Sequence, residues 1–113
     1  MSCIFCKITA GEIPAKIVHQ DDELVVIEDI NPAAPLHLLL IPRKHIASVL
    51  ELSEGDDQLV GRIYRLAADL ARKYGVAESG FRIVANTNAD AGQTVFHIHF
   101  HLLAGRGMSW PPG

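Results

Sequence analysis

The sequence predicts a single α+β domain: a five-stranded, mainly antiparallel sheet with one long helix and a short helix near the N-terminus. Short apolar runs recur between clusters of Gly, Pro, Asp and Asn, the pattern of strands separated by turns. One stripe of apolar residues, from Leu59 to Tyr74, keeps helical spacing. A chain of 113 residues with 49% hydrophobic content matches the ~100–150 residues of one globular domain, so residues 1–113 are read as one unit. Its modest core is one that a second chain could extend. Neither strand order nor pairing follows from the sequence.

Taken in order, Ile4, Phe5, Ile8 and Ile13 stand at near-helical spacing, and Gly11 with Pro14 stops the short helix they make. So short a segment serves as a lid or pocket wall. Lys16 to Gln20 and Leu24 to Asp29 read as two strands joined by the acidic turn Gln20-Asp21-Asp22-Glu23. Asn31-Pro32-Ala33-Ala34-Pro35 is a connecting loop, because two prolines remove donors and fix φ. Leu36 to Ile41 forms a strongly apolar strand interrupted only by His37. Ile46 to Leu50 makes a brief helical turn, and Ser53-Glu54-Gly55-Asp56 resembles a capping box. The long helix follows, with Leu59, Val60, Ile63, Leu66, Ala67, Leu70 and Tyr74 on its buried stripe and Gly75 as its stop. Phe81 to Ala85 is a further strand. Asn86 to Gly92 is a polar loop of small residues whose main-chain amides, beside Gly92, Gln93 and Thr94, offer a cradle for an anion.

That loop delivers the chain to Gln93 through Leu103, where three histidines alternate with apolar residues. In an extended strand, alternate side chains share a face. His97, His99 and His101 then line one face, while Phe96, Ile98, Phe100 and Leu102 pack on the other. Neighbouring histidines would lie roughly 6.5–7 Å apart, so one phosphate-sized group could touch two of them. A surface row of histidines on a half-exposed strand is the plain account of one such pair. Three in register after Gly92-Gln93-Thr94 point instead to nucleophilic, proton-donating or metal-binding work.

Composition narrows the classes. With 10 basic and 13 acidic residues the formal charge is −3, so no broad basic field serves nucleic acid or anionic membrane, and any phosphate site is built locally. The early segment lacks the layout of a signal peptide, and no apolar run approaches the ~20 residues that span a bilayer; a cytoplasmic protein is expected. Cys3 and Cys6 are the two cysteines, and such a spaced pair in a reducing compartment suggests metal binding or redox chemistry before a structural disulfide.

His97-Ile98-His99-Phe100-His101-Leu102-Leu103 resembles the motif that names the histidine triad family. The likeness extends to Cys3-Ile4-Phe5-Cys6-Lys7-Ile8, Asp29-Ile30-Asn31-Pro32, Pro35-Leu36-His37 and Ile41-Pro42-Arg43-Lys44-His45. It closes with Gly105-Arg106-Gly107-Met108 and Trp110-Pro111-Pro112-Gly113, an ending similar to the nucleotide-binding branch. The resemblance implies a purine nucleoside phosphoramidase whose sheet continues across a two-fold axis into a homodimer. It implies a covalent nucleotidyl intermediate on His99, with His101 as phosphate donor and acid, and His97 and His37 holding the ring network. Ile4, Phe5, Ile8, Asp29, Ile30, Asn86, Gly92, Gln93, Thr94, His99 and His101 would contact the nucleotide, Asp29 gripping ribose hydroxyls. Thr94 stands where the family often carries serine, keeping the hydroxyl but adding a methyl. Catalysis needs no metal, yet in bacterial members with paired cysteines, positions matching Cys3, Cys6, His45 and His97 hold structural zinc. Two other functions stay open: a dinucleoside polyphosphate hydrolase or nucleotidyl transferase using the same triad, and a nucleotide-binding regulatory module with incidental turnover.

Overall fold

The computed structural model describes residues 3–113. A short helix α1 (Ile4–Thr9) is followed by strands β1 (Ile17–Gln20), β2 (Leu24–Glu28) and β3 (Leu36–Pro42), the long helix α2 (Asp57–Lys73), then β4 (Phe81–Val84) and β5 (Phe100–Ala104). The five strands form one sheet in the order β1-β2-β3-β5-β4, and every neighbouring pair is antiparallel. Among the described residues no helix is long and apolar enough to cross a membrane.

Alternation along the central strands divides the core between two faces. Leu24, Val26, Leu38, Leu40, Phe100 and Leu102 pack against Leu59, Ile63, Ala67 and Leu70 of α2. Val25, Ile27, Leu39 and Ile41 pack on the opposite face against Phe5 and Ile8 of α1. Strand β3 is apolar almost throughout because both faces are covered. Its exception, His37, lies on the α1 side. Leu39 pairs with His101 and His37 with Leu103, so His37 and His101 are diagonal cross-strand neighbours on that face.

Local chemistry fixes the connections. Asp21 Oδ1 accepts the amides of Glu23 and Leu24, each at 2.9 Å, and closes the β1–β2 turn. Burial opposes ionisation of Asp21, but hydrogen bonds from His19, those two amides and Arg62 outweigh it and hold the carboxyl well below its usual range. Arg43 bonds the carbonyls of Asp21 and Thr9, tying the hairpin to the end of α1. The Ser53 amide donates to the Asp56 carboxylate at 3.0 Å before α2, and Gly75 stops the helix at φ +73°.

Three expectations need correction. The triad stretch is not one strand from Gln93 to Leu103, because ladder pairing begins only at Phe100. Phe96 does not join the core with Ile98, Phe100 and Leu102 but is 51% exposed, since the bent segment before β5 breaks the alternation. Tyr74 lies beyond the last residue of α2 and is exposed.

Candidate active site

The bend before β5 gives the three histidines different surroundings. His97 is fully buried, and its Nε2–H donates to the Pro42 carbonyl at 2.7 Å. Its Nδ1 lone pair therefore faces Cys3 Sγ at 3.4 Å, Cys6 Sγ at 3.5 Å and His45 Nδ1 at 3.1 Å. The Ile98 amide donates to the Ile46 carbonyl and brings these two segments together. Cys3 caps α1, its sulfur accepting the Cys6 amide at 3.4 Å, so one turn of helix presents both sulfurs to the same point.

Cys3, Cys6, His45 and His97 thus offer two sulfurs and two imidazole nitrogens, all within 4.8 Å of one another. Bond lengths of about 2.0–2.3 Å set tetrahedral zinc ligands about 3.3–3.8 Å apart, close to the separations found. Burial and the adjacent Cys3 sulfur push the Cys6 thiol upward in pKa, so a thiolate pair here needs a positive partner. The donor set fits a closed, structural zinc site.

His99 turns the other way. Its Nδ1–H donates to the His97 carbonyl at 2.8 Å, which fixes the tautomer and leaves the Nε2 lone pair free. Phe5 meets the His99 ring edge-on at 4.9 Å between centroids. Burial lowers the His99 pKa against the opposing pull of the His97 carbonyl and Asp29, so the ring is neutral at pH 7. His101 stands beside it, 5.1 Å between ring centroids, and its Nδ1 is 2.8 Å from His37 Nε2. Burial first, then His99 and His37, bring the His101 pKa down to about 4. His37 is also lowered by burial, with Asp29 opposing.

Around this pair stand the other expected residues. Asp29 accepts the Asn31 amide at 2.8 Å through Oδ1, and its Oδ2 lies 3.4 Å from His37 Nε2. A carboxylate has about four lone-pair sites, so both oxygens keep capacity for further donors. Phe5 and Ile8 are buried, whereas Ile4 is 47% and Ile30 92% exposed. Asn86 is half-buried. The loop after it is built differently from the expected amide cradle: the Gly92 amide donates to Ala89 and the Gln93 amide to Asn88. The Gln93 side chain is committed as well, donating to the Ala47 and Val95 carbonyls and accepting the Asn88 amide. Thr94 is exposed and carries a hydroxyl that can donate. The groups that accept the ring protons of His97 and His99 are main-chain carbonyls, which no side-chain pattern announces.

An α+β fold that sets two neutral imidazoles side by side, one with a free lone pair, defines a class of protein equipped for nucleophilic chemistry. A family described as scavenger mRNA decapping enzyme, C-terminal binding, matches residues 2–109. The purine nucleoside phosphoramidase of Escherichia coli is 48% identical over 105 residues, 93% of this chain and 88% of that protein. An uncharacterized HIT-like protein of Synechocystis is 46% identical over 97% of this chain and 96% of its own length. The crystal structure of a HIT family hydrolase from Legionella pneumophila superposes with a TM-score of 0.98 at 49% identity, covering 99% of this chain and 100% of that one. A histidine triad protein from Clostridium difficile gives 0.93 at 39% identity, covering 96% and 95%. The chain belongs to the histidine triad (HIT) family.

Proposed function

We propose that this protein hydrolyses purine nucleoside phosphoramidates, splitting the P–N bond in two steps through a nucleotidyl-His99 intermediate. The observation that carries the proposal is the His99 Nδ1–H bond to the His97 carbonyl at 2.8 Å, which presents a neutral, unprotonated Nε2 as nucleophile. In the first step His99 Nε2 forms a bond to phosphorus while the bond to the amine breaks, and the departing nitrogen, hydrogen-bonded by His101 Nε2–H, takes a proton from solvent. In the second, water attacks phosphorus, the N–P bond breaks, the water proton returns to solvent by way of the imidazole pair, and the nucleoside monophosphate leaves. The Thr94 hydroxyl donates to a phosphate oxygen as charge redistributes. Asp29 receives ribose hydroxyls, and Phe5, Ile8, Ile4 and the exposed Ile30 supply apolar surface for the base.

Zinc at Cys3, Cys6, His45 and His97 belongs to the same proposal as a structural ion: when bound it fixes α1 against the His97 segment. No step runs through it, because His99 and His101 lie outside the donor set. A homodimer is proposed as well. β4 ends the sheet, one of its edges unpaired among the described residues, Phe81 on it is 38% exposed and Trp110 is 82% exposed, an edge and an aromatic suited to a second chain. Two unpaired cysteines accord with a cytoplasmic setting. Turnover of AMP and GMP amine conjugates by wild type, and its loss in folded His99→Ala, is the direct test. Activity retained in that variant would end the covalent proposal.

A further inference from the structure

The His37 and His101 rings share a hydrogen bond whose direction decides what His101 shows the substrate. That direction is set outside the histidines. The Ala33 amide donates to His37 Nδ1 at 3.0 Å. An amide N–H can only donate, so His37 Nδ1 must accept, and neutral His37 carries its proton on Nε2. His37 Nε2–H then donates to His101 Nδ1 at 2.8 Å. Asp29 Oδ2, 3.4 Å from the same Nε2, favours a proton there too. With Nδ1 accepting, neutral His101 carries its proton on Nε2, the nitrogen turned away from His37. His99 has the opposite arrangement, Nδ1–H bonded and Nε2 bare. One ring offers the lone pair that attack on phosphorus requires, and its neighbour offers an N–H that can hydrogen-bond the leaving nitrogen.

The Ala33 amide sits in the loop between β2 and β3, where most residues are exposed, so something must hold it on His37. The chain directly after β5 does so. Arg106 forks onto the Ala33 carbonyl, with Nε at 3.1 Å and Nη2 at 3.0 Å, while its Nη1 reaches the Gly107 carbonyl at 3.0 Å. Gly105, at φ +95°, packs so closely that a Cβ there would lie 2.8 Å from Pro35 Cβ. Leu36 pairs with Ala104, so this clamp and the loop emerge from the same end of the sheet. Strand β5 thus carries His101 and, past its last residue, the group that governs His101's proton.

We infer that Arg106 is a positioning residue: by gripping residue 33 it holds the Ala33 amide on His37 and so selects the Nε2–H tautomer of His101. If the amide swings away, His37 can place its proton on Nδ1 and accept from His101 through Nε2, leaving His101 with a bare Nε2 and no N–H to hydrogen-bond the leaving nitrogen. The tautomer assignment stands on the hydrogen bonds alone; its catalytic consequence rests on the phosphoramidate proposal above.

The test uses ¹⁵N-labelled full-length protein and long-range ¹H–¹⁵N spectra of the histidine rings at neutral pH, for wild type, Arg106→Met, Arg106→Lys and Ala33→Pro. Wild type should show Nε2–H for His37 and His101 and Nδ1–H for His99. Arg106→Met and Ala33→Pro should convert His101 to a mixture containing Nδ1–H, with His99 unchanged and Arg106→Lys intermediate. For an alkylamine conjugate of AMP, kcat in Arg106→Met should fall about tenfold with KM within about twofold, whereas the nitrophenyl ester of AMP, whose leaving group needs no proton, should lose little. An unchanged His101 tautomer in folded Arg106→Met overturns the role of Arg106, even if Ala33→Pro shifts it. If Ala33→Pro does not fold, Arg106→Met decides alone. The spectra need no substrate, so they give their answer even if the protein proves not to cleave P–N bonds.

Discussion

Acid should destabilise this protein well above the range where carboxylates titrate, and His101 allows the size of the effect to be worked out. Its pKa is about 4 in the fold against an ordinary 6.5, so between those values the unfolded chain binds a proton that the folded chain refuses. Stability then falls as pH falls, with slope set by the difference in bound protons. The contribution is complete above pH 6.5 and is lost progressively down to about pH 4. Each pKa unit corresponds to about 1.4 kcal/mol, so His101 alone removes about 2 kcal/mol by pH 5 and up to about 3 kcal/mol at the end of the window. Against a total of about 5–15 kcal/mol for a domain, that is a large fraction. His37, lowered by burial with Asp29 opposing, shifts stability in the same direction. Asp21 also loses its contribution in acid, but as a carboxyl held below its ordinary 3.8 it acts in a separate, lower window. Urea unfolding of wild type and His101→Gln from pH 7.5 to 5 isolates the effect, because acid release of a metal or protonation elsewhere is common to both. The stability of wild type relative to the variant should drop by about 2 kcal/mol across that range. A difference constant to within about 0.5 kcal/mol would show that His101 is not held neutral by the fold, and the assignment of a neutral imidazole pair would fail with it.

Two other outcomes follow from the same geometry. Protein purified without chelator should carry about one zinc per chain, and the Cys3→Ser, Cys6→Ser double variant should lose it and melt at lower temperature; elemental analysis finding none in the wild type refutes the site. Deleting Met108 to Gly113 should change the ratio of kcat/KM between two leaving amines on one nucleotide while leaving His99 chemistry intact, since the exposed Trp110 belongs to the proposed dimer interface. A truncated protein that stays dimeric with an unchanged ratio removes the tail from substrate choice.

Strands β1 to β4 were legible in the sequence to within about a residue because apolar runs and turn residues act locally. β3 stands out for this reason: both its faces are buried, and a continuous apolar run is what such a strand requires. The triad stretch misled because alternation of side chains does not require ladder pairing. His97 is turned inward by the Pro42 carbonyl, Gln93 folds back on Asn88, Ala47 and Val95, and only from Phe100 does the chain join the sheet. In the loop after Asn86 the Gly92 and Gln93 amides are taken up for a related reason: a turn made of small residues closes on its own carbonyls. The four donors Cys3, Cys6, His45 and His97 meet across sequence separations as large as 94 residues, which spacing alone could not reveal; family likeness pointed to them. The Ala33 amide, the Pro42 carbonyl and the His97 carbonyl direct the proton positions of three histidines, yet as main-chain groups they leave no signature in residue type.

The central claim is that His99 Nε2 attacks phosphorus and carries the nucleotide between two half-reactions. Rapid mixing of wild type with an AMP–amine conjugate, acid quenching within one turnover, and intact-mass and peptide mapping test it most directly. An adenylate covalently attached to His99, appearing and decaying at rates compatible with turnover and missing in His99→Ala, is the expected result. Turnover at the wild-type rate with no adduct at any quench time, or an adduct mapping to His101, would contradict it.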